Sequence, residues 1–217
     1  MFKPAAIGII DGYFQFTPAI RHKEILWAMS HGIHVFGSAS MGALRAAELA
    51  AFGMEGVGTV FELYRDGVLE DDDEVALVHA PAEMNYRPIS EAMVNIRSTL
   101  MAATRTGVIR SALQVRLERI AKETYYPNRT YPALLKEARR AGLPEAELVR
   151  FERWLPTGQV DQKRQDAAAM LQLMHNRLRE GLEPKKVTYF FEHTLMWDSA
   201  LEERQNRSPE AQVADGS

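Results

Sequence analysis

Residues 5–51 alternate twice between a short apolar run and an amphipathic stretch, and this order leaves few folds open. Ala5-Ala6-Ile7-Gly8-Ile9-Ile10 reads as a buried strand, ended by Asp11-Gly12. Thr17 and Pro18 then read as the N-cap and first residue of a helix. Its buried face carries Ile20, Ile25, Leu26 and Met29, and Gly32 closes it. Ile33-His34-Val35-Phe36 reads as a second strand, followed by an Ala- and Leu-rich helix from Met41 to Ala51. A strand–helix–strand–helix order predicts a right-handed βαβ unit with parallel strands. Downstream, Thr59 to Asp66 reads as a short helix and Glu74 to His79 as a third strand.

After Pro88 the period changes. Residues 89–121 carry helical spacing with a break at Gly107, and 131–141, 145–154 and 159–180 continue as helices separated by Gly and Pro. Residues 187–201 are expected to add one more helix. The expected fold is α/β: a small parallel Rossmann-like sheet with an N-terminal βαβ core over 1–87, a mainly helical extension over 88–202, and a disordered tail over 203–217.

Composition narrows the chemistry. The chain has 217 residues and no cysteine, so a thiolate nucleophile, a thiolate zinc site and a disulfide framework are all excluded. Covalent chemistry falls to Ser, Thr, Lys or a carboxylate. A net charge of −3 without a basic, aromatic-interleaved stripe argues against nucleic acid as a partner. No apolar run approaches a membrane span and the N-terminus lacks a signal-peptide core, so a cytoplasmic protein is expected, with no cofactor and no metal. The run Glu70-Asp71-Asp72-Asp73-Glu74 lacks the spacing of a calcium loop and reads as a solvated acidic turn.

In an open parallel sheet, ligands bind beyond the carboxyl ends of the strands. The three expected strand ends carry Asp11, then Ser38 and Ser40, then His79: a carboxylate, hydroxyls and an imidazole, the set that cysteine-free nucleophilic hydrolysis needs. Phe36-Gly37-Ser38-Ala39-Ser40-Met41-Gly42 resembles a nucleophile elbow, with Ser38 where the first glycine usually stands and Ser40 as the nucleophile. The backbone N–H groups of Met41 and Gly12 are candidates to receive an oxyanion, Gly42 leaves room for close approach, and Ser38 and Arg45 complete the substrate-binding candidates. The base is His79 or Lys23, with Asp11 orienting or charging it. A second reading of the same residues stays open: Ser38 or Ser40 as a helix N-cap, or the helix start as an anion site without chemistry.

Ile9-Ile10-Asp11-Gly12-Tyr13-Phe14, His22-Lys23-Glu24-Ile25-Leu26 and above all the stretch Val35 to Leu49, with Asp71 to Ala76 downstream, resemble the core of the TfuA-like family over about residues 5–110. Val160-Asp161-Gln162-Lys163-Arg164 resembles a weaker family signature in the helical part. The resemblance implies a partner of a YcaO-type, ATP-dependent enzyme in peptide-backbone thioamidation. It implies a hydrolase that liberates sulfide from a thiocarboxylated ThiS-like carrier protein, the peptide substrate being met indirectly. Two other classes compete. One is a non-catalytic adaptor that grips the carrier or peptide and recruits YcaO through the helical half, with 160–164 on the partner-facing surface. The other is a nucleotide-binding Rossmann protein, which ranks last because no Gly-x-Gly-x-x-Gly turn follows the first strand.

Overall fold

Parallel strands buried on both faces read as continuous apolar runs, and the second strand is built that way. In the computed structural model, which describes residues 3–11, 20–194 and 197–199, β2 (His34–Ser38) is buried from Val35 onward. It lies between β1 (Ala6–Ile9) and β3 (Glu55–Val57), and both pairings are parallel. The helices alternate with the strands: α1 (His22–Ser30) follows β1, α2 (Met41–Leu49) follows β2, and α3 (Thr59–Arg65) follows β3. The chain is thus an α/β protein with a three-stranded parallel sheet and a mainly helical C-terminal part, as the sequence predicts.

The third strand is not the one expected. Glu74–His79 forms no strand: Asp72–Glu74 is a single 3₁₀ turn, and His79 makes only an isolated antiparallel bridge to Pro88. Val75 and Ala76 are apolar and buried, but their stretch finds its hydrogen bonds outside a ladder. The Val75 carbonyl accepts from Lys163 Nζ at 2.9 Å, and the Val78 N–H donates to Ser90 Oγ at 2.8 Å. With those groups engaged, a sheet partner has little left to bond. The real third strand, Glu55-Gly56-Val57, is three residues long and centred on a glycine, too short for a period-2 signal.

The described start of α1 is capped by Arg21, whose N–H donates to the Glu24 carboxylate at 2.9 Å; the expected cap at Thr17 and Pro18 lies outside the described residues. Gly32, at φ +81°, ends this helix as expected.

Two helical faces cover the sheet. Gly37 and Ile9 are paired in register on the α2 side, where a Cβ on Gly42 would fall inside the Ile9 carbonyl; α2 can approach β1 only because residue 42 has none. On the other side, Gly8 accepts the side chains of Met170 and Met174 from α8 (Gln162–Glu180). Asp166 of α8, 3% exposed, accepts from the Val60 N–H at 2.7 Å and so caps α3 from a distant part of the chain.

Between α3 and α8 run α4 (Met93–Arg105), α5 (Ser111–Glu123), α6 (Tyr131–Arg140) and α7 (Glu145–Gly158), with Gly107 at φ +75° marking the expected break between α4 and α5. Ile96, Leu100, Leu117, Leu134, Leu148 and Phe151 form their core, distinct from the sheet core of Ile25, Met29, Val35, Ala46 and Val60. The expected helix over 187–201 is absent from 187–194. The β-branched and aromatic residues of Val187-Thr188-Tyr189-Phe190-Phe191 have low helix propensity. The compact unit that carries the sheet ends at Val187. In the separate unit that starts at Thr188, Phe191 packs edge-on against Trp197. Among the described residues, no helix is long and apolar enough to cross a membrane.

The acidic run is not a solvated turn throughout. Glu74 is 3% exposed and pairs with Arg97 at 2.9 Å, while Asp73 pairs with Lys122 and, at 2.8 Å, with Arg129. It ties the loop after α3 to α4, α5 and the segment before α6.

Candidate functional site

The turn from β2 into α2 is tight. The Ser40 N–H donates to the Ser38 carbonyl at 2.8 Å across Ala39, whose φ of +68° is one that a non-glycine residue adopts at a cost of about 1–3 kcal/mol. The Ser38 hydroxyl donates to the Val57 carbonyl at 2.7 Å, fastening the turn to the end of β3. Ser40 is the N-cap residue of α2 and accepts Ala43 N–H and Leu44 N–H through its carbonyl, but its side chain does not cap the helix. The side-chain N-cap reading of Ser40 therefore does not hold. The strained position of the elbow falls on Ala39, one residue before Ser40, and Ser40 itself is 2% exposed.

Beside this turn, at the carboxyl edge of β1 and β2, lies a pocket of about 260 Å³. Ile10 and Asp11 reach it from β1 and Ala39 from the turn, and Leu77, His79, Pro88 and Ser90 come from the bridged loop. Glu91 and Asn95 enter from the start of α4, and Gln159, Asp161, Lys163, Arg164 and Ala167 from the start of α8. Asp11 and His79, two of the residues the sequence singles out, thus share one pocket.

Its most buried charge is Lys163. The side chain is 11% exposed; Nζ donates to the Val75 carbonyl at 2.9 Å and stands 3.7 Å from Asp11 Oδ2, an ion-pair distance longer than a hydrogen bond. Burial pushes this ammonium below the usual lysine range, against the opposing pull of Asp11, Asp161 and Glu91. The backbone beneath it is fixed. The Lys163 N–H donates to Asn95 Oδ1 at 3.1 Å, Asn95 Nδ2 donates to Asp161 Oδ1 at 3.1 Å, and that same carboxylate oxygen caps α8 through the Arg164 N–H at 3.0 Å. Glu91 accepts from Gln159 Nε2 at 3.2 Å, and its carboxyl is pushed above the usual range by burial first and by the Asp161 charge second.

The remaining sequence candidates sit elsewhere. Lys23 is half-buried on the first turn of α1 and is not among the lining residues, nor is Ser40. Gly42 lends its N–H to the Ile10 carbonyl at 3.2 Å and serves packing. Met41 begins α2, and Gly12 lies outside the described residues. Arg45 donates through Nε to the Ile20 carbonyl at 3.2 Å and pairs with Glu48 at 2.6 Å, so its guanidinium holds α1 and α2 in place. Lys163 and Asn95 are the site residues that sequence reasoning missed. The only signal was Val160–Arg164 itself, read as an outward surface; in the fold its Asp161, Lys163 and Arg164 turn onto the pocket.

A family model described as TfuA-like protein matches residues 11–130, more than half of the chain. The chain belongs to the TfuA-like family. A search of curated proteins finds no match. The matched span holds β2, the strained turn, His79, Glu91 and Asn95, whereas Lys163 and the rest of the α8 contribution lie beyond it.

Proposed function

We propose that this TfuA-like protein is a hydrolase that releases sulfide from the thiocarboxylated C-terminus of a small ThiS-like carrier protein and supplies it to a YcaO-type enzyme for thioamide formation on a peptide. The observation that carries the reading is the convergence of Asp11, His79 and Lys163 on one pocket at the carboxyl edge of a parallel sheet, beside a strained turn. The reaction is acyl transfer to water: a thiocarboxylate and one water give a carboxylate and hydrogen sulfide. The oxygen nucleophile forms the new C–O bond, the C–S bond breaks, and sulfide carries the electron pair away. A tetrahedral oxyanion lies between, so positive charge and backbone N–H groups close by lower the barrier.

Ser40 is the proposed nucleophile, with His79 as its base. A second route has an observation of its own: Ala39 and His79 line the pocket whereas Ser40 does not, which favours a water activated by His79. Single-turnover sulfide release from a thiocarboxylated carrier, without any YcaO enzyme, tests the function. Ser40→Ala decides the route. Loss of a serine nucleophile costs on the order of 10⁶-fold in rate in subtilisin, whereas a folded Ser40→Ala protein working near the wild-type rate leaves only the water route. Ser38→Ala is the control, because its hydroxyl is already committed to Val57. No sulfide from the wild-type chain would leave the adaptor reading in its place.

A further inference from the structure

We propose that Lys163 is the anion-binding residue of the pocket, its ammonium receiving the singly charged carboxylate or thiocarboxylate that ends a polypeptide tail; this rests on the carrier reading above and names the group that reads the tail's end.

The geometry of the lysine is the first argument. An ammonium has three donors. Val75 takes one, Asp11 stands at ion-pair distance, and the ammonium has no other hydrogen bond among the described residues. A structural lysine this buried is normally saturated by its partners. The Lys163 backbone is held through Asn95 and the Asp161 cap, its ammonium is held at the Val75 carbonyl, and the residue lines the pocket.

Size is the second argument. About 260 Å³ falls below the range usual for sites that enclose a whole small-molecule ligand, so the pocket suits an end group rather than a nucleotide or other cofactor.

Charge is the third. Around Lys163 and Arg164 stand the carboxylates of Asp11, Glu91 and Asp161. A phosphate dianion entering here meets three acidic groups against two cations, of which only Lys163 is buried, and feels twice the repulsion that a monoanion feels. A monoanion at Lys163 Nζ replaces the distant Asp11 contact with a direct charge-assisted hydrogen bond. The pocket therefore favours a monoanion over a dianion, and a thiocarboxylate and a carboxylate both carry the single charge it accepts.

The test is equilibrium binding by fluorescence anisotropy. The full chain is titrated against a labelled synthetic peptide ending in Gly-Gly, once as the free acid and once as the C-terminal amide. The wild type is expected to bind the acid at least ten-fold more tightly than the amide. Lys163→Met is expected to bind both as weakly as the wild type binds the amide, and Lys163→Arg to retain a preference for the acid. Inorganic phosphate is expected not to compete at millimolar concentration. A measurement that needs no variant runs alongside: acetylation of Lys163 in the wild type, read by mass spectrometry, should slow several-fold with the acid peptide and not with the amide. Equal binding of acid and amide by the wild type, or a Lys163→Met protein that still separates them, overturns the inference, as does effective competition by phosphate. Lys163-dependent binding without sulfide release removes the hydrolase and keeps the inference; sulfide release with no such dependence does the reverse.

Discussion

Two clusters of charge link the α/β part to the helical part, and they are built to opposite rules. Around the acidic run, Arg129 is 1% exposed and every arm of its guanidinium is engaged: Nε with the Ala121 carbonyl, one terminal nitrogen with the Asp73 carbonyl, the other with the Asp73 carboxylate and the Thr124 carbonyl. Lys122 meets Asp71, Asp73 and Glu74 together. At the pocket, Lys163 is 11% exposed, yet among the described residues its ammonium has one hydrogen bond and one carboxylate, 3.7 Å away. Saturation marks a charge kept for the fold. Incomplete saturation in a pocket marks a charge kept for a ligand, because leaving a buried ammonium short of partners costs free energy that a structural role would not sustain. The carboxylates Asp71, Asp73 and Glu74 lie close enough together to hold a metal ion, but the cations that already occupy them explain the cluster.

The contrast makes its largest prediction at Arg129. Arg129→Met removes a cation that is itself 1% exposed, leaves three carbonyls without its donors, and takes from the Asp73 carboxylate one of its two cations. Breaking a buried pair from one side costs about 3–5 kcal/mol, and urea unfolding of the variant should show a loss of that size. A loss below about 1 kcal/mol would mean that the network behaves as a surface ion pair.

Acid titration sharpens the same point with a smaller effect. Burial alone would raise the Asp73 carboxyl, but the hydrogen bonds and charges of Lys122 and Arg129 overcome it and hold the group below its usual range. A carboxylate with a depressed folded-state pKa contributes stability that is present above the ordinary value, about 3.9, and is lost as pH falls through the folded one. Asp73→Asn should therefore be less stable than wild type at pH 7, by about 1.5–3 kcal/mol for hydrogen bonds to charged groups. That gap should close once the pH drops below the folded-state value. A gap that stayed constant with pH would assign the loss to packing.

Much of this architecture was legible in sequence because it rests on local rules. The apolar runs of β1 and β2, the glycine ends at Gly32 and Gly107, and the periodicity of α4 to α8 each act within a few residues. What escaped depends on contacts made at long range. The apolar run Val75–Val78 looks like a strand, and only the distant Lys163 and Ser90, which occupy its backbone groups, explain why it is not one. Glu55-Gly56-Val57 is a strand because β2 already stands beside it. At the site, the strand-end rule points to Asp11 and His79, and His79 reaches the pocket although its stretch makes no strand. Lys163 comes from a helix far along the chain, and nothing local separates it from an ordinary solvated lysine. Its placement depends on Asn95, a buried polar residue in a helix that pattern reading treats as core.

The smallest expected effect is the one that bears hardest on the comparison. Lys163→Met deletes a charge that is only 11% exposed, yet the fold should hardly register it. One hydrogen bond to Val75 is lost, about 0.5–1.5 kcal/mol. Against this, the desolvation of the ammonium disappears, and Asp11, 45% exposed, remains in contact with solvent. The pH dependence has a definite sign. Burial lowers the Lys163 pKa in the fold, so between that lowered value and the ordinary one the unfolded chain binds more protons, and wild-type stability rises with pH across this window. The Met variant lacks the group and should lack that rise. At pH 7 the two proteins should unfold within about 1 kcal/mol of each other, while differing at least ten-fold in tail binding. A loss near the Arg129 value would make Lys163 a structural pin of the loop at Val75, and the distinction between the two clusters would fall with it.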